Sequence, residues 1–330
     1  MRSVFVPGRC NLIGEHTDYN DGLALPFAVD LGVNVTLSGR ADNHVHVRAD
    51  GFGTWTSDTE PHDDFARQAA VVLKDLGVAS ADVHVTSTLP AGAGMSSSAA
   101  YLGALALASG ATGSLIDLAH RVQHYERSAG SDVGLLDPLA TLGARKGAAL
   151  LIDFSTLTTR DVAVPAGLAF TVIHSGITRS LAASGYRDRR EECATVAREL
   201  GAWRDITEGD LGGLSSDLLR RRARHVLREN ERVLAMESAL ATSDVDSVGA
   251  LLIASHVSLR DDFEVSLPPI DELVTVVCAQ PGVHGARLMG GGFGGCILVA
   301  HDEDVTPGRP GFAHWTVRPS SGALERLGLR

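Results

Sequence analysis

A chain of 330 residues is too long for one modest core and fits two packed domains. Its 44% hydrophobic and 21% charged residues describe an ordinary globular protein, which excludes a disordered or fibrous chain. The formal charge of -11, from 29 Lys and Arg against 40 Asp and Glu, disfavours loose attraction to nucleic acid or an anionic membrane, so any anionic ligand must be held by local groups.

Met1 to Gly8 lacks the apolar run of about 7–15 residues that a signal peptide carries, and no secretion is expected. A first strand leads into a dense polar motif, and an exposed sheet edge is expected where the chain starts on it. Strand patterns follow at Val33–Leu37, Val45–Arg48 and Val83–Thr88, the last two separated by an amphipathic stretch from Phe65 to Leu76. Helical patterns cover Ser97–Ala108, Leu115–Ser128 and Leu135–Leu142, and an apolar strand covers Ala148–Phe154. Ala99 to Ala108 is the most apolar stretch; at about half the length of a membrane-spanning helix, and broken by Gly103, it predicts no span. The Thr-rich, Pro-terminated segment Ser155–Pro165 reads as a domain boundary, giving domains 1–165 and 166–330. The second half opens on a strand, Leu168–His174, carries helices at Ser184–Leu200, Ser216–Ala241 and Val245–Leu259, and closes on short strands near Arg287, Cys296 and Trp315.

Cys10, Cys193, Cys278 and Cys296 are scattered without metal-ligand spacing, which predicts free, mostly buried thiols and a cytoplasmic location. The pairs His120/His124 and His44/His46 lack a third ligand or an H-E-x-x-H context and read as surface or core histidines. Arg220, Arg221, Arg222 and Arg224 read as a solvated helix face.

Three motifs carry chemistry. Leu89-Pro90-Ala91-Gly92-Ala93-Gly94-Met95-Ser96-Ser97-Ser98-Ala99-Ala100 lies between a strand and a helix. Glycines there let the backbone approach an anion, and the free N–H groups and dipole of a helix start favour phosphate. A Gly-Ser linker, with Ser98 or a neighbour as the N-cap, fits the same residues. Neither a Walker loop nor a nucleophile elbow is present. Gly290-Gly291-Gly292-Phe293-Gly294-Gly295 formally matches a dinucleotide fingerprint but precedes a strand, so positive φ angles or a close backbone approach are expected instead. Pro7 to Asn20 places Arg9, Glu15, His16 and Asp18 within ten positions, a set able to hold a polyol and neutralise phosphoryl charge; an exposed charged turn is the plainer reading of any one of them. Asp137 is an acidic residue within an apolar helical stretch, where an unpaired charge is costly unless it serves the helix start.

Together these segments resemble the GHMP kinase family, in its galactose-specific branch, over nearly the whole chain. The sugar signature stands as Gly8-Arg9-x-Asn11-x-Ile13-Gly14-Glu15-His16-Thr17-Asp18-Tyr19 and the ATP loop as Pro90 to Ala99; further similar segments are Arg145–Asp153, Tyr186–Cys193, Ser255–Val265 and Gly285–Cys296. The resemblance implies an α+β protein of two domains, an N-terminal ribosomal-S5-like mixed α/β domain and a C-terminal ferredoxin-like α+β domain, with ATP and sugar meeting in the cleft. It implies transfer of the ATP γ-phosphoryl group to O1 of galactose by a monomer that needs Mg²⁺. By the same resemblance Glu15, His16, Thr17, Asp18, Gly134 and Tyr186 bind the sugar, and Gly92, Ala93, Gly94, Met95, Ser96, Ser97 and Ser98 bind ATP. Asp137 falls on the catalytic aspartate, Arg9 on its charge-stabilising partner, and Ser98 on a magnesium-binding serine. The family's metal-binding glutamate stands twelve residues before the aspartate; Tyr125 occupies that place here, and Glu126, one position on, is taken as the ligand. Pro138, where the family usually carries glutamine, removes an amide beside Asp137.

Other readings make different demands. A kinase for N-acetylgalactosamine or arabinose differs only in the sugar pocket, and a non-catalytic sugar and nucleotide sensor has no need of Arg9, Ser98 and Asp137 together. A nicotinamide enzyme using Gly92-x-Gly94 requires an acidic residue at a strand end about 20 residues on, where this sequence has helix.

Overall fold

The computed structural model describes residues 1–51, 53–130, 133–177 and 182–330. The chain opens on β1 (Arg2–Asn11), β2 (Leu23–Ala24), β3 (Pro26–Gly39), β4 (Val45–Ala49), β5 (Gly53–Thr56), α1 (Asp64–Asp75) and β6 (Ala81–Ser87). It continues through α2 (Ser97–Ala108), α3 (Leu115–Ser128), α4 (Leu136–Gly143), β7 (Ala148–Asp153), β8 (Thr158–Ala163) and β9 (Leu168–His174). Then come α5 (Ala182–Leu200), α6 (Asp217–Ala241), α7 (Val245–Asp261), α8 (Pro268–Cys278), β10 (Val283–Met289), β11 (Cys296–Asp302), β12 (His314–Val317) and α9 (Ala323–Arg326).

The strands form three sheets, ordered β1-β3-β6-β4-β5, β2-β7-β8 and β10-β11-β9-β12, antiparallel except where β4 runs parallel to β6. β1 is an edge strand of its sheet. Helix α2 is apolar on every side and all ten residues from Ala99 to Ala108 are buried, because α1, α3, α4, β1 and β3 surround it. Helices α1 and α3 start on side-chain caps, Asp63 accepting from the Ala66 N–H and Ser114 pairing with Asp117 in a capping box. The C-terminal α9 returns to pack on β1 and α4, and Phe27 of β3 meets Phe170 of β9 with ring centroids 4.9 Å apart.

The segment 155–165, read as a domain boundary, carries a strand: β8 pairs with β7 from Ala148↔Ala163 to Asp153↔Thr158. Its pattern is faint because only Val162 is buried while Arg160 turns outward to Glu237, 2.7 Å away. Arg222 is not on a solvated face. It is fully buried, donating to Glu192, the Asp262 carbonyl and Glu264, each at 2.6 Å. Helix α8 is an element the sequence reading left out.

Candidate active site

The polar motif at the start of the chain straddles the end of β1. Gly8 is obligatory there, since a Cβ would stand 2.5 Å from the Met95 carbonyl and 2.6 Å from Leu89. That close approach lets the Arg9 N–H donate to Met95 O and the Arg9 Nη1 donate to Gly94 O at 2.6 Å. The same guanidinium reaches Asp137, in the first turn of α4, with Nε at 2.8 Å and Nη2 at 2.7 Å from Oδ1. Burial works against the Arg9 charge, and Asp137 and Glu15 more than offset it. Pro138, next along that turn, costs the helix no hydrogen bond because first-turn amides have no partner within the helix.

Gly92 and Gly94 both take positive φ, 75° and 69°, as the phosphate-loop reading requires. Ser96 is the N-cap residue of α2 but is left-handed, φ 58°, and does not cap: its Oγ donates to Asp137 Oδ2 at 2.5 Å. The first amides of α2 therefore stay available to an anion. Ala93 and Met95 bury their side chains in the core and offer the cleft mainly backbone. A cavity of about 420 Å³ is lined by Arg9, Gly92 to Ser98 in part, Glu126 and Asp137, with Val133 and Ile177 on its apolar walls.

Glu126 faces this cavity, whereas its neighbour Tyr125 points to α1 and donates to Asp75 at 2.6 Å. The helical turn thus brings Glu126, not residue 125, to the site. Burial, reinforced by Asp137, pushes the Glu126 carboxyl up to about 8, and its Oε2 is buried without a hydrogen-bond partner among the described residues. The Ser98 hydroxyl eases the upward shift of Glu126 slightly and accepts from Gln68 at 3.0 Å. A starved carboxylate beside a hydroxyl and a phosphate-binding loop fits Mg²⁺, which takes one or two carboxylates plus substrate phosphates. No group of three or more His, Cys, Asp or Glu among the described residues forms a separate metal site.

The loop 14–23 reaches the neighbourhood of this cavity through Gly134. Gly134, next to cavity-lining Val133, has its backbone against Asp18, where a Cβ would fall 2.0 Å from Oδ2. The Asp18 carboxyl is pushed up to about 7, chiefly by burial, then by Asp137 and Glu15. His16 has a left-handed backbone, φ 63°, and stacks among Tyr19, Tyr186 and Phe263, with centroids 5.9, 5.6 and 4.6 Å away; burial takes its ring down to about 3, so it is neutral. Burial alone would raise the Glu15 carboxyl, but Arg287 at 2.9 Å and the Gly290 N–H at 2.7 Å outweigh it and hold it below the ordinary range. Thr17 is corrected: it is fully buried, and its hydroxyl lies 2.9 and 2.7 Å from the Gly14 and Leu23 carbonyls, inside the loop and away from the cleft.

The glycine run after β10 does what its context predicts. Gly290 and Gly292 take positive φ, a Cβ on Gly292 would lie 2.6 Å from Val265, and the run brings the Gly290 amide to Glu15. Residues missed by sequence reasoning hold the site from outside it: Gln68 at Ser98, Arg287 at Glu15, and Glu229, which accepts from the Gly14 N–H at 3.0 Å. Each partner is far away along the chain, so no local pattern marks them.

Comparison with known proteins agrees with this geometry. The chain matches the galactokinase galactose-binding signature over residues 2–38, the GHMP kinases N terminal domain over 64–143 and the GHMP kinases C terminal domain over 236–306. It shares 40% identity over 321 residues with a galactokinase from Roseiflexus sp. (strain RS-1), covering 89% of this chain and 82% of that one. The crystal structure of Lactococcus lactis galactokinase complexed with galactose superposes with a TM-score of 0.85 at 26% identity, over 97% of this chain and 94% of that one. Methanococcus jannaschii mevalonate kinase, at 16% identity and a TM-score of 0.68 over 97% and 98% of the two chains, shares the fold. The fold and cleft are those of a two-domain GHMP kinase. Within that class, the chain belongs to the galactokinase family.

Proposed function

We propose that this protein transfers the γ-phosphoryl group of ATP to O1 of galactose, giving galactose 1-phosphate and ADP. The observation that supports the reading is Asp137, gripped by Arg9 and Ser96 in a cavity that the glycine–serine loop also lines.

Gly92 to Ser98 hold the ATP phosphates through backbone N–H groups and serine hydroxyls. Asp18, His16, Glu15, Gly134 and Tyr186 form the sugar end. A carboxylate has about four acceptor positions; Arg9 uses both on Oδ1 and Ser96 one on Oδ2, leaving one on Oδ2 for the sugar hydroxyl. Asp137 thus orients O1–H and receives its proton as the O1–P bond forms and the bond to ADP breaks. Arg9 offsets charge on the transferring group. Positioning of two substrates in one cleft can supply about 7–11 kcal/mol of the barrier, and fixed donors add electrostatic stabilisation. Glu126 and Ser98 would hold Mg²⁺, which neutralises phosphate charge when bound.

Residues 1–165 and 166–330 are taken as the two domains. A monomer is proposed. A reducing cytoplasm is proposed on the four free cysteines; no helix among the described residues is long and apolar enough to cross a membrane. A panel of galactose, its epimers, N-acetylgalactosamine and arabinose, read by ADP release, tests the sugar: galactose is expected to give the highest kcat/KM, and a preference for N-acetylgalactosamine or arabinose would reassign it.

A further inference from the structure

The loop 14–23 that carries Glu15, His16 and Asp18 is not a conformation the chain would keep alone. His16 and Asp21 are both left-handed, φ 63° and 50°, and such non-glycine residues persist only where their surroundings over-determine them. Within the loop Asn20 Nδ2 donates to His16 O and the Asn20 and Gly22 amides donate to Thr17 O, which closes the turn but does not orient it.

Arg287 and Gly290 hold the Glu15 carboxyl, and the contacts that orient the loop's backbone come from α6. Glu229, fully buried, accepts from the Gly14 N–H at 3.0 Å, and its other ties are Ser255 and Arg232, at 2.7 Å each. Asn230 Oδ1 accepts from the Leu23 N–H at 2.8 Å, and it stands 2.5 Å from where a Cβ on Gly22 would be. One turn before Glu229, His225 Nε2 lies 3.1 Å from the Glu15 carbonyl and Nδ1 lies 2.9 Å from Ser258 Oγ. A carbonyl only accepts, so Nε2 carries the proton, while Nδ1 lies against the Ser258 hydroxyl, which also reaches Asp262 Oδ2 at 3.0 Å. Both ends of the loop and its first acidic residue are therefore fixed through backbone atoms, by side chains more than 200 residues away in the chain.

We infer that His225, Glu229 and Asn230 are positioning residues for galactose, setting the backbone of the sugar loop so that Asp18 stands against Gly134 in the cleft. The role rests on the sugar-binding reading above. It requires no contact between α6 and the sugar, and it leaves the ATP end alone.

Asn230, half-buried, can be changed with less risk to folding than Glu229. Calorimetric binding of galactose and of ATP is measured on wild type, Asn230→Ala and Asn230→Asp, with hydrogen exchange of the peptide covering 14–23. Loss of one hydrogen bond predicts about tenfold weaker galactose binding for Asn230→Ala, with ATP affinity within about twofold. Faster exchange confined to that peptide is expected in the same variant. Asn230→Asp keeps the Oδ1 acceptor and should recover most of the affinity, whereas Asn230→Leu, measured beside it, has similar volume without that acceptor and should not. If wild type binds galactose and Asn230→Ala binds it equally well, or loses both ligands in parallel, the positioning role is overturned and the sugar reading stands. A wild-type chain that binds ATP but not galactose overturns both.

Discussion

Arg9 places Nε and Nη2 within 2.8 Å of a single oxygen of Asp137, while its Nη1 holds the Gly94 carbonyl of the glycine–serine loop. One guanidinium therefore ties the glycine–serine loop to the carboxylate proposed to meet the acceptor.

Asp137→Asn keeps the size of the side chain but removes the proton acceptor. A loss of about 10²–10⁴ in kcat is expected, with thermal midpoint and ATP affinity near wild type. Steady-state kinetics beside a nucleotide titration check this, and full activity would remove Asp137 from the chemistry.

Glu126 makes a stability prediction with a definite sign. Its folded carboxyl titrates near 8 against an ordinary 4.5, so between those values the folded state holds more protons than the unfolded one. Its contribution to stability declines as pH rises through that window. Glu126→Gln lacks this titration and should gain a few degrees in Tm over wild type at pH 8 and little at pH 4.5. The same variant should need more Mg²⁺ for half-maximal turnover, and an unchanged metal titration would point to another ligand.

Asp18 titrates near 7 in the free protein and accepts hydroxyl hydrogen bonds best when ionised. For galactose, kcat/KM should rise between pH 6 and 8 and level off, since that parameter reports the free enzyme. Asp18→Asn should be both weak and flat over that range; a retained acid limb would place the titration elsewhere.

Gly134→Ala puts a methyl group where Asp18 Oδ2 now lies. The galactose KM should increase by at least about tenfold while the ATP KM is little changed. Equal effects on both substrates would mean that Asp18 and Gly134 do not bound the sugar end.

The buried arginine on α6 offers a test of the fold. Arg222→Met takes the buried donor from the Asp262 carbonyl and from Glu264, while Glu192 keeps Arg189, and should destabilise the protein by about 3 kcal/mol, the low end for such a pair because Glu264 is partly exposed. Urea unfolding measures it.

The features legible in the sequence are those written in neighbouring residues. Gly92 to Ser98 declare a close backbone approach next to a helix start, and Asp137 stands out as a charge among Leu135, Leu136 and Leu139. Their meeting with Arg9 was reached through resemblance, since no spacing rule links residues 128 apart. Arg222 was misread because a run of four arginines hides the helical period: Leu219, Ala223 and Val226 are buried beside it, and that inward stripe was the available signal. The pattern Ile270, Leu273, Val274, Val277 marked α8 equally well. The α6 contacts to Gly14, Glu15 and Leu23 had no local signal at all, because they are made to backbone atoms that look alike at every position.

The central claim is that one cleft brings ATP to O1 of galactose. The most direct test incubates the protein with ATP, Mg²⁺ and galactose and follows the products by ³¹P NMR. Galactose 1-phosphate and ADP are expected in equal amounts, at a rate about 10²–10⁴ lower with Asp137→Asn. ADP without sugar phosphate, or phosphate on a different hydroxyl, would contradict it.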